Sequence, residues 1–386
     1  MRGPNYTPIE LLARLVAFDT TSHKSNLALV AFIEDYLLQH GVVSTRVTAP
    51  EGDKASLFAT IGPEGSGGVA LSGHTDVVPV DGQTWDSDPF QLRAADGKLY
   101  ARGSADMKGF LACVLAAVPG YKHRPLKTPI HIAFSYDEEI GCIGVRPMLA
   151  KFGKTLPTPR MVIVGEPTSM RVVDAHKGPV RWQVDVTGRA AHSSMAHLGV
   201  NAITYATRLI AELERIEADL KISSHNTRFD PPYATLQVTR LEGGTASNII
   251  PVSCRFGFEV RALPGLDIDG IEQRLRQFAE SACLPAMRAV ADEAAIAITR
   301  TNNVPPFGAD AHSDVVALTL KLTGQNETHT VSYATEAGLF QDAGAPSIVC
   351  GPGDIAQAHT ANEWIADSEL VKCMAFLERL GAWAEA

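Results

Sequence analysis

Cysteine is scarce in this chain. Six residues (Cys113, Cys142, Cys254, Cys283, Cys350 and Cys373) are scattered through apolar stretches, and no Cys-x-x-Cys occurs. That excludes a disulfide framework and a cysteine-ligated zinc, and it reads as buried, reduced thiols in a cytoplasmic protein. Long hydrophobic runs are missing too: nothing approaches the length of a membrane span, and Met1 to Glu10 lacks the charged-then-apolar order of a signal peptide. Positive charge is in deficit, with 34 Lys and Arg against 43 Asp and Glu and a net charge of -9. That balance argues against a phosphate-binding surface for nucleic acid. There is no internal repeat, low-complexity tract or long charge run. What remains is an ordinary globular composition, 45% hydrophobic and 20% charged, in a chain of 386 residues, long enough to expect two domains.

The apolar pattern predicts an α/β protein. A helical N-terminal region (Pro8 to Gln39) precedes short apolar runs that read as buried strands: Val69-Ala70-Leu71, Ile130 to Phe134, Met161 to Val164 and Ser347 to Cys350. Phe110 to Val118 reads as a helix packed on them, and the alternation implies a layered core with a largely parallel sheet. The middle of the chain differs. Strands Val180 to Thr187, Ala234 to Leu241, Cys254 to Arg261 and Ala294 to Thr301, with helices Ala202 to Ala218 and Asp267 to Ala282, give the β-α-β-β-α-β order of a ferredoxin-like split motif. Lys177-Gly178-Pro179 and Asn302 to Pro306 resemble hinge linkers. The expected organisation is a discontinuous catalytic domain, residues 1–177 and 305–386, interrupted by a smaller domain at 178–304.

Each predicted strand runs into a residue that binds metals. Leu71 leads to His74, Phe134 to Glu138-Glu139, Val164 to Glu166, and Cys350 to the loop that ends at His359. In open α/β sheets, ligands collect beyond the carboxyl ends of the strands. Two imidazoles and several carboxylates form a donor set for two divalent ions, and such a pair activates water for hydrolysis. Taken singly, the residues say less. His74 and Asp76 lie two apart on extended chain and point to the same side, as a ligand and the carboxylate that orients it do. A capping Asp beside a surface His would have the same spacing. Asp106 precedes the apolar helix and serves equally as an N-cap or as a carboxylate bridging two ions. In Glu138-Glu139 neighbouring side chains diverge, so that one can bind metal while the other acts as general base. Three acids in a row, Asp137 to Glu139, also suit a solvated turn.

Together these segments resemble a known family. Ser72-Gly73-His74-Thr75-Asp76-Val77-Val78-Pro79, Gly103 to Gly109 around Asp106, Asp137-Glu138-Glu139, Gly165-Glu166-Pro167 and Ala358-His359 are similar, in order and across nearly the whole chain, to the signatures of the ArgE/DapE/aminoacylase metallopeptidase family. The resemblance implies that His74 and Glu166 hold one metal, Glu139 and His359 the other, and that Asp106 bridges them. It also implies that Asp76 orients His74, Glu138 is the general base, and the Asp106-Met107 peptide is cis. Two divalent ions are implied as cofactors, zinc first and cobalt as the alternative. The inserted domain becomes a lid and dimerisation domain in a homodimer. Arg189-Ala190-Ala191-His192-Ser193 resembles its lid motif, and that motif alone separates His192 from His197 as the group polarising the scissile carbonyl. Asn248 and Arg261 resemble the binders of the substrate carboxylate, a role that suits the planar fork of arginine.

Within the family, Ser332 to Phe340, Gly351 to Ile355 and Asp137 to Cys142 resemble the acetylornithine deacetylase branch. The desuccinylase branch has a Gly-Gly-Thr-Ser-Asp pattern where this chain has Ala334-Thr335-Glu336. The segment after His359 departs from the branch, with Thr-Ala-Asn-Glu in place of polar-Pro-Asp-Glu. The implied substrate is a small N-acylated amino acid, N2-acetyl-L-ornithine on this reading. Thr335 would touch its carboxylate, and charge placement makes Glu336 a partner for a cationic side-chain amine. The rivals are succinyl-diaminopimelate desuccinylase, a broader aminoacylase or dipeptidase, and, from another class, a noncatalytic binding protein on the same fold.

Overall fold

The computed structural model describes residues 3–65 and 67–386, and the chain divides into two compact units. The first comprises Met1–Ala175, Gly308–His329 and Thr335–Ala386, and the second His176–Phe307 with Thr330–Ala334.

The first unit is built on a sheet whose middle strands are buried along their whole length, in the order Ile130–Ser135, Val69–His74, Met161–Pro167, Ser347–Gly351. All three pairings among them are parallel. Buried on both faces, such strands need no polar alternation, which is why they read as continuous apolar runs. An antiparallel hairpin, Ser44–Thr48 with Ala55–Ile61, extends the sheet beside Ile130–Ser135. Helix Gly109–His123 is buried nearly throughout, and Pro8–Val16 and Asp367–Glu385 pack against it.

The helical N-terminal region expected over Pro8 to Gln39 consists of two helices, Pro8–Val16 and Leu27–Gln39. Thr7 and Glu10 form a capping box at the start of the first, with Pro8 in the position where its missing N–H costs nothing. The break falls at Thr20-Thr21-Ser22, whose backbone and hydroxyls bond elsewhere: Thr20 Oγ1 donates to the Thr75 carbonyl at 2.6 Å, and the Val77 N–H to the Thr20 carbonyl at 3.2 Å. Short hydroxyl side chains favour such local bonds over helix continuation. The interruption straps this segment to the turn after His74.

The second unit is a four-stranded antiparallel sheet in the order Thr235–Gly243, Ser253–Ala262, Gly178–Thr187, Ala295–Asn303. Helices Ala202–Ser223 and Ile268–Phe278 share its core, where Trp182 stacks on Phe258 with ring centroids 4.8 Å apart. The predicted helix to Ala282 ends at Phe278 and continues as a wider turn, Ala279–Cys283, and a short helix, Leu284–Arg288. Thr330–Ala334 joins this unit through hydroxyl bonds, Thr330 to the Arg228 carbonyl and Ser332 to the Asp230 carbonyl. Among the described residues no helix is long and apolar enough to cross a membrane.

Gly351 closes the parallel sheet beside the strand that carries Glu166. A Cβ there would lie 2.0 Å from the Gly165 carbonyl oxygen, a backbone atom that cannot swing aside. Gly351→Ala should lower stability by about 1–3 kcal/mol or more, read as a shift of the urea midpoint. An unchanged midpoint would mean that the two strands have room to part.

Candidate metal centre

His74 is the last residue of its strand and fully buried. Its Nδ1 lies 3.0 Å from the carbonyl oxygen of Asp76 and 3.4 Å from Asp76 Oδ1, so the residue expected to orient it does so chiefly through its backbone. The Asp76 carboxylate is engaged elsewhere. It accepts the N–H groups of Glu138 (3.1 Å) and Glu139 (3.3 Å) and the Ser22 hydroxyl (2.8 Å). Asp76 thereby ties the His74 loop to the glutamate turn.

The other face of the His74 ring meets acids. Nε2 lies 3.0 Å from Asp106 Oδ1 and 3.8 Å from Glu166 Oε1. Asp106 sits in the turn Ser104–Lys108, and its peptide bond to Met107 is cis. Its second oxygen, Oδ2, lies 3.1 Å from His359 Nε2, so one carboxylate faces both imidazoles with one oxygen each. His359, with φ of 62° and a half-exposed side chain, also reaches Glu139 Oε2 at 3.0 Å. The nearest donor atoms of His74, Asp106 and Glu139 lie within 4.8 Å of one another, as do those of His74, Glu138 and Glu166.

The electrostatics show what this cluster attracts. Burial pushes Glu139 up to about 7, with the Asp106 charge adding to the effect. Burial, then Asp106, raises Glu166 well above the usual carboxylate range, and burial with Glu139 among its neighbours does the same to Glu138. Asp106 goes the other way. Burial opposes its ionisation, but hydrogen bonds from His359 and His74 outweigh it and hold the carboxyl low. Those bonds, with Glu139, push His359 up to about 11. Three glutamates thus draw protons while Asp106 stays ionised between the two imidazoles. Buried oxygen and imidazole donors that want positive charge fit divalent ions.

The remaining sequence-predicted residues are placed as follows. Thr335 and Glu336 are buried in the first unit. Glu336 accepts the Ser72 hydroxyl at 3.3 Å, and burial pushes its carboxyl up to about 7 against the pull of Ser135 and His74. His192, Asn248 and Arg261 belong to the second unit. His192 is exposed, with Nδ1 2.7 Å from Ser194 Oγ; the Asn248 carbonyl accepts the Ser193 N–H; Arg261 Nε donates to Glu259 at 2.6 Å. Lys54, which no motif marks, grips both oxygens of Asp137 and the Ser22 carbonyl beneath the glutamate turn. The Cys142 thiol donates to Glu138 Oε1 at 3.3 Å, and Arg102 pairs with Glu363. No spacing rule marks these four; only the position of Cys142 four residues after Glu138 offered a signal.

Glu139 and His359 both bind protons more tightly in the folded than in the unfolded chain. In metal-free protein their contribution to stability is complete below the ordinary values of 4.5 and 6.5, and is lost as pH rises through about 7 and about 11. Ions compete with those protons, so the rise in Tm on adding zinc to chelator-treated protein should grow between about pH 6 and 9. An increment that stays flat or shrinks over that range would mean that the ions bind elsewhere.

Residues 70–382 match the model of peptidase family M20/M25/M40. An acetylornithine deacetylase of Myxococcus xanthus is 36% identical over 376 residues, covering 95% of each chain. The fold is similar to that of an M20 family metallo-carboxypeptidase from Sulfolobus solfataricus (TM-score 0.76, 18% identity, 98% and 99% of the chains covered). It is also similar to that of a dinuclear metal-binding M20 peptidase of Bacillus subtilis (TM-score 0.69, 15% identity, 98% and 96% covered). The carboxylate–imidazole cluster at the strand ends and the match along most of the sequence lead to one conclusion: this chain belongs to peptidase family M20/M25/M40 and is a metal-dependent amide hydrolase.

Proposed function

We propose that the chain removes the N-acetyl group from N2-acetyl-L-ornithine, releasing ornithine and acetate as a step of arginine synthesis. The observation that carries this reading is the identity, over nearly the full length of both chains, with a relative named acetylornithine deacetylase. The Ser332 to Phe340 segment, with Thr335 and Glu336, supports the same branch.

On this reading His74 and Glu166 hold one divalent ion, Glu139 and His359 the other, and Asp106 spans both. Zinc suits the two imidazoles best, with cobalt as the alternative. Bound there, such ions would supply positive charge to polarise an acyl carbonyl and acidify water. The protein's part begins with Glu138, whose raised proton affinity suits a general base. It takes a proton from the attacking water as the oxygen–carbon bond forms. It then delivers that proton to the ornithine amine as the carbon–nitrogen bond breaks. His192 steadies the carbonyl oxygen, from the same or a partner subunit of a homodimer joined through the inserted domain. Asn248, Arg261 and Thr335 receive the substrate carboxylate, and Glu336 attracts the side-chain amine. Six buried, unpaired cysteines fit a cytoplasmic enzyme.

Metal-loaded protein should show a far higher kcat/KM on N-acetyl-L-ornithine than on N-succinyl-diaminopimelate, with KM for the former rising in Glu336→Gln. Hydrolysis of the succinyl substrate instead would move the chain to the desuccinylase branch, and an unchanged KM would remove Glu336 from the substrate site. Glu138→Ala should keep its metal while kcat falls by about 10²–10⁴-fold. Full turnover in that variant would reject the base assignment.

A further inference from the structure

Glu363 is 1% exposed, yet it touches neither imidazole and takes no part in the chemistry above. Its surroundings are unusually specific. Oε1 accepts the backbone N–H groups of Ala105 (2.9 Å) and Asp106 (3.0 Å). Oε2 accepts the N–H of Gly103 (2.9 Å) and Nη1 of Arg102 (2.8 Å). Four donors therefore converge on one carboxylate, three of them from the turn that presents Asp106. Strand pairing delivers it there: Trp364 registers with Tyr100, and the Ala101 N–H donates to the Glu363 carbonyl at 3.1 Å.

Arg102 carries the arrangement onward. It is 1% exposed, and its guanidinium also donates to the Thr360 carbonyl (3.3 Å) and to Gln83 Oε1 (2.5 Å). Gln83 in turn donates from Nε2 to the carbonyl of His359 at 2.8 Å. A chain of hydrogen bonds thus runs from the backbone of one ligand-bearing turn to the backbone of another. His359 needs such a hold, because it sits on a loop at positive φ with its side chain half exposed.

We propose that Glu363 is a positioning residue that fixes Asp106 and His359 relative to each other, directly through the 103–106 amides and indirectly through Arg102 and Gln83. This rests on the reading of the cluster as a two-metal site. An anion that accepts several backbone N–H groups fixes a turn as a helix cap does, but here it fixes two turns at once. Partners that orient ligands typically contribute 10–100-fold in metal affinity. The amide of Glu363→Gln has one acceptor oxygen and turns its NH2 toward either the turn or Arg102, so one arm of the brace is lost while the side-chain volume is kept.

The test compares wild type, Glu363→Gln and Gln83→Ala by competitive zinc titration against a chelator, with backbone amide exchange of residues 103–106 measured in parallel. Gln83 is partly exposed, so its truncation leaves the fold intact. Glu363→Gln should bind zinc about 10–100-fold more weakly and exchange these amides faster. Gln83→Ala should weaken one of the two ions by about tenfold and leave the exchange of the 103–106 amides unchanged. Zinc in excess should restore kcat in both variants, and circular dichroism of the metal-free proteins should show both folded as wild type. Wild-type affinity and exchange in folded Glu363→Gln would overturn the brace. Faster exchange with unaltered affinity would overturn it too, since the turn would then be loosened without consequence for the ligands. Wild type that binds no zinc would remove the two-metal reading, and this role with it.

Discussion

Negative charge concentrated where several strands end is the condition around which this molecule is organised. Burial raises the proton affinity of Glu138, Glu139 and Glu166, and the charges of Asp106 and of one another add to the effect, while the two imidazoles keep Asp106 ionised. A structure with this much repulsion at its centre must hold its ligands in place from outside the cluster.

The hold comes largely from backbone amides bonded to carboxylates that are not ligands on this reading. Asp76 collects the N–H groups of Glu138 and Glu139, and Glu363 those of Gly103, Ala105 and Asp106. Lys54 neutralises Asp137 just beneath. Ionised acceptors make shorter and stronger hydrogen bonds than neutral ones, so a few such acids can fix irregular loops as firmly as a sheet ladder fixes strands. The regular elements set where each ligand-bearing loop begins, and these acids set where it ends up.

Sequence made the first of these layers readable and the second largely invisible. Continuous apolar runs mark the buried parallel strands, and the acid or imidazole that follows each run marks its loop. The order of those motifs carries the family resemblance, and the resemblance implies the ligand set. Glu363 was in view as the end of the His359 loop, yet one acid among 43 Asp and Glu carries no mark of burial. Its role depends on pairing between Trp364 and Tyr100, more than 260 residues apart, which local pattern does not encode. The same holds for the break at Thr20 to Ser22. The distant backbone of Thr75 and Val77 supplies bonds there that no local pattern announces. Thr330–Ala334 was assigned with its sequence neighbours, whereas its hydroxyls bond to Arg228 and Asp230.

The discontinuity of the first unit bears on how the protein is made. Its strands at Val69–His74, Ile130–Ser135 and Met161–Pro167 are synthesised before the second unit, and Ser347–Gly351 only after it. Domains generally fold as units as the chain emerges from the ribosome. The second unit, contiguous but for five residues, can therefore complete its core while the first still lacks a central strand and His359. For that interval Glu139 and Asp106 have no His359 to pair with, and the strand that carries Glu166 stands at the open edge of a half-built sheet. Assembly of the centre is thus a late event in biosynthesis, and a chain truncated before residue 359 would carry the acids without the histidine that draws two of them together.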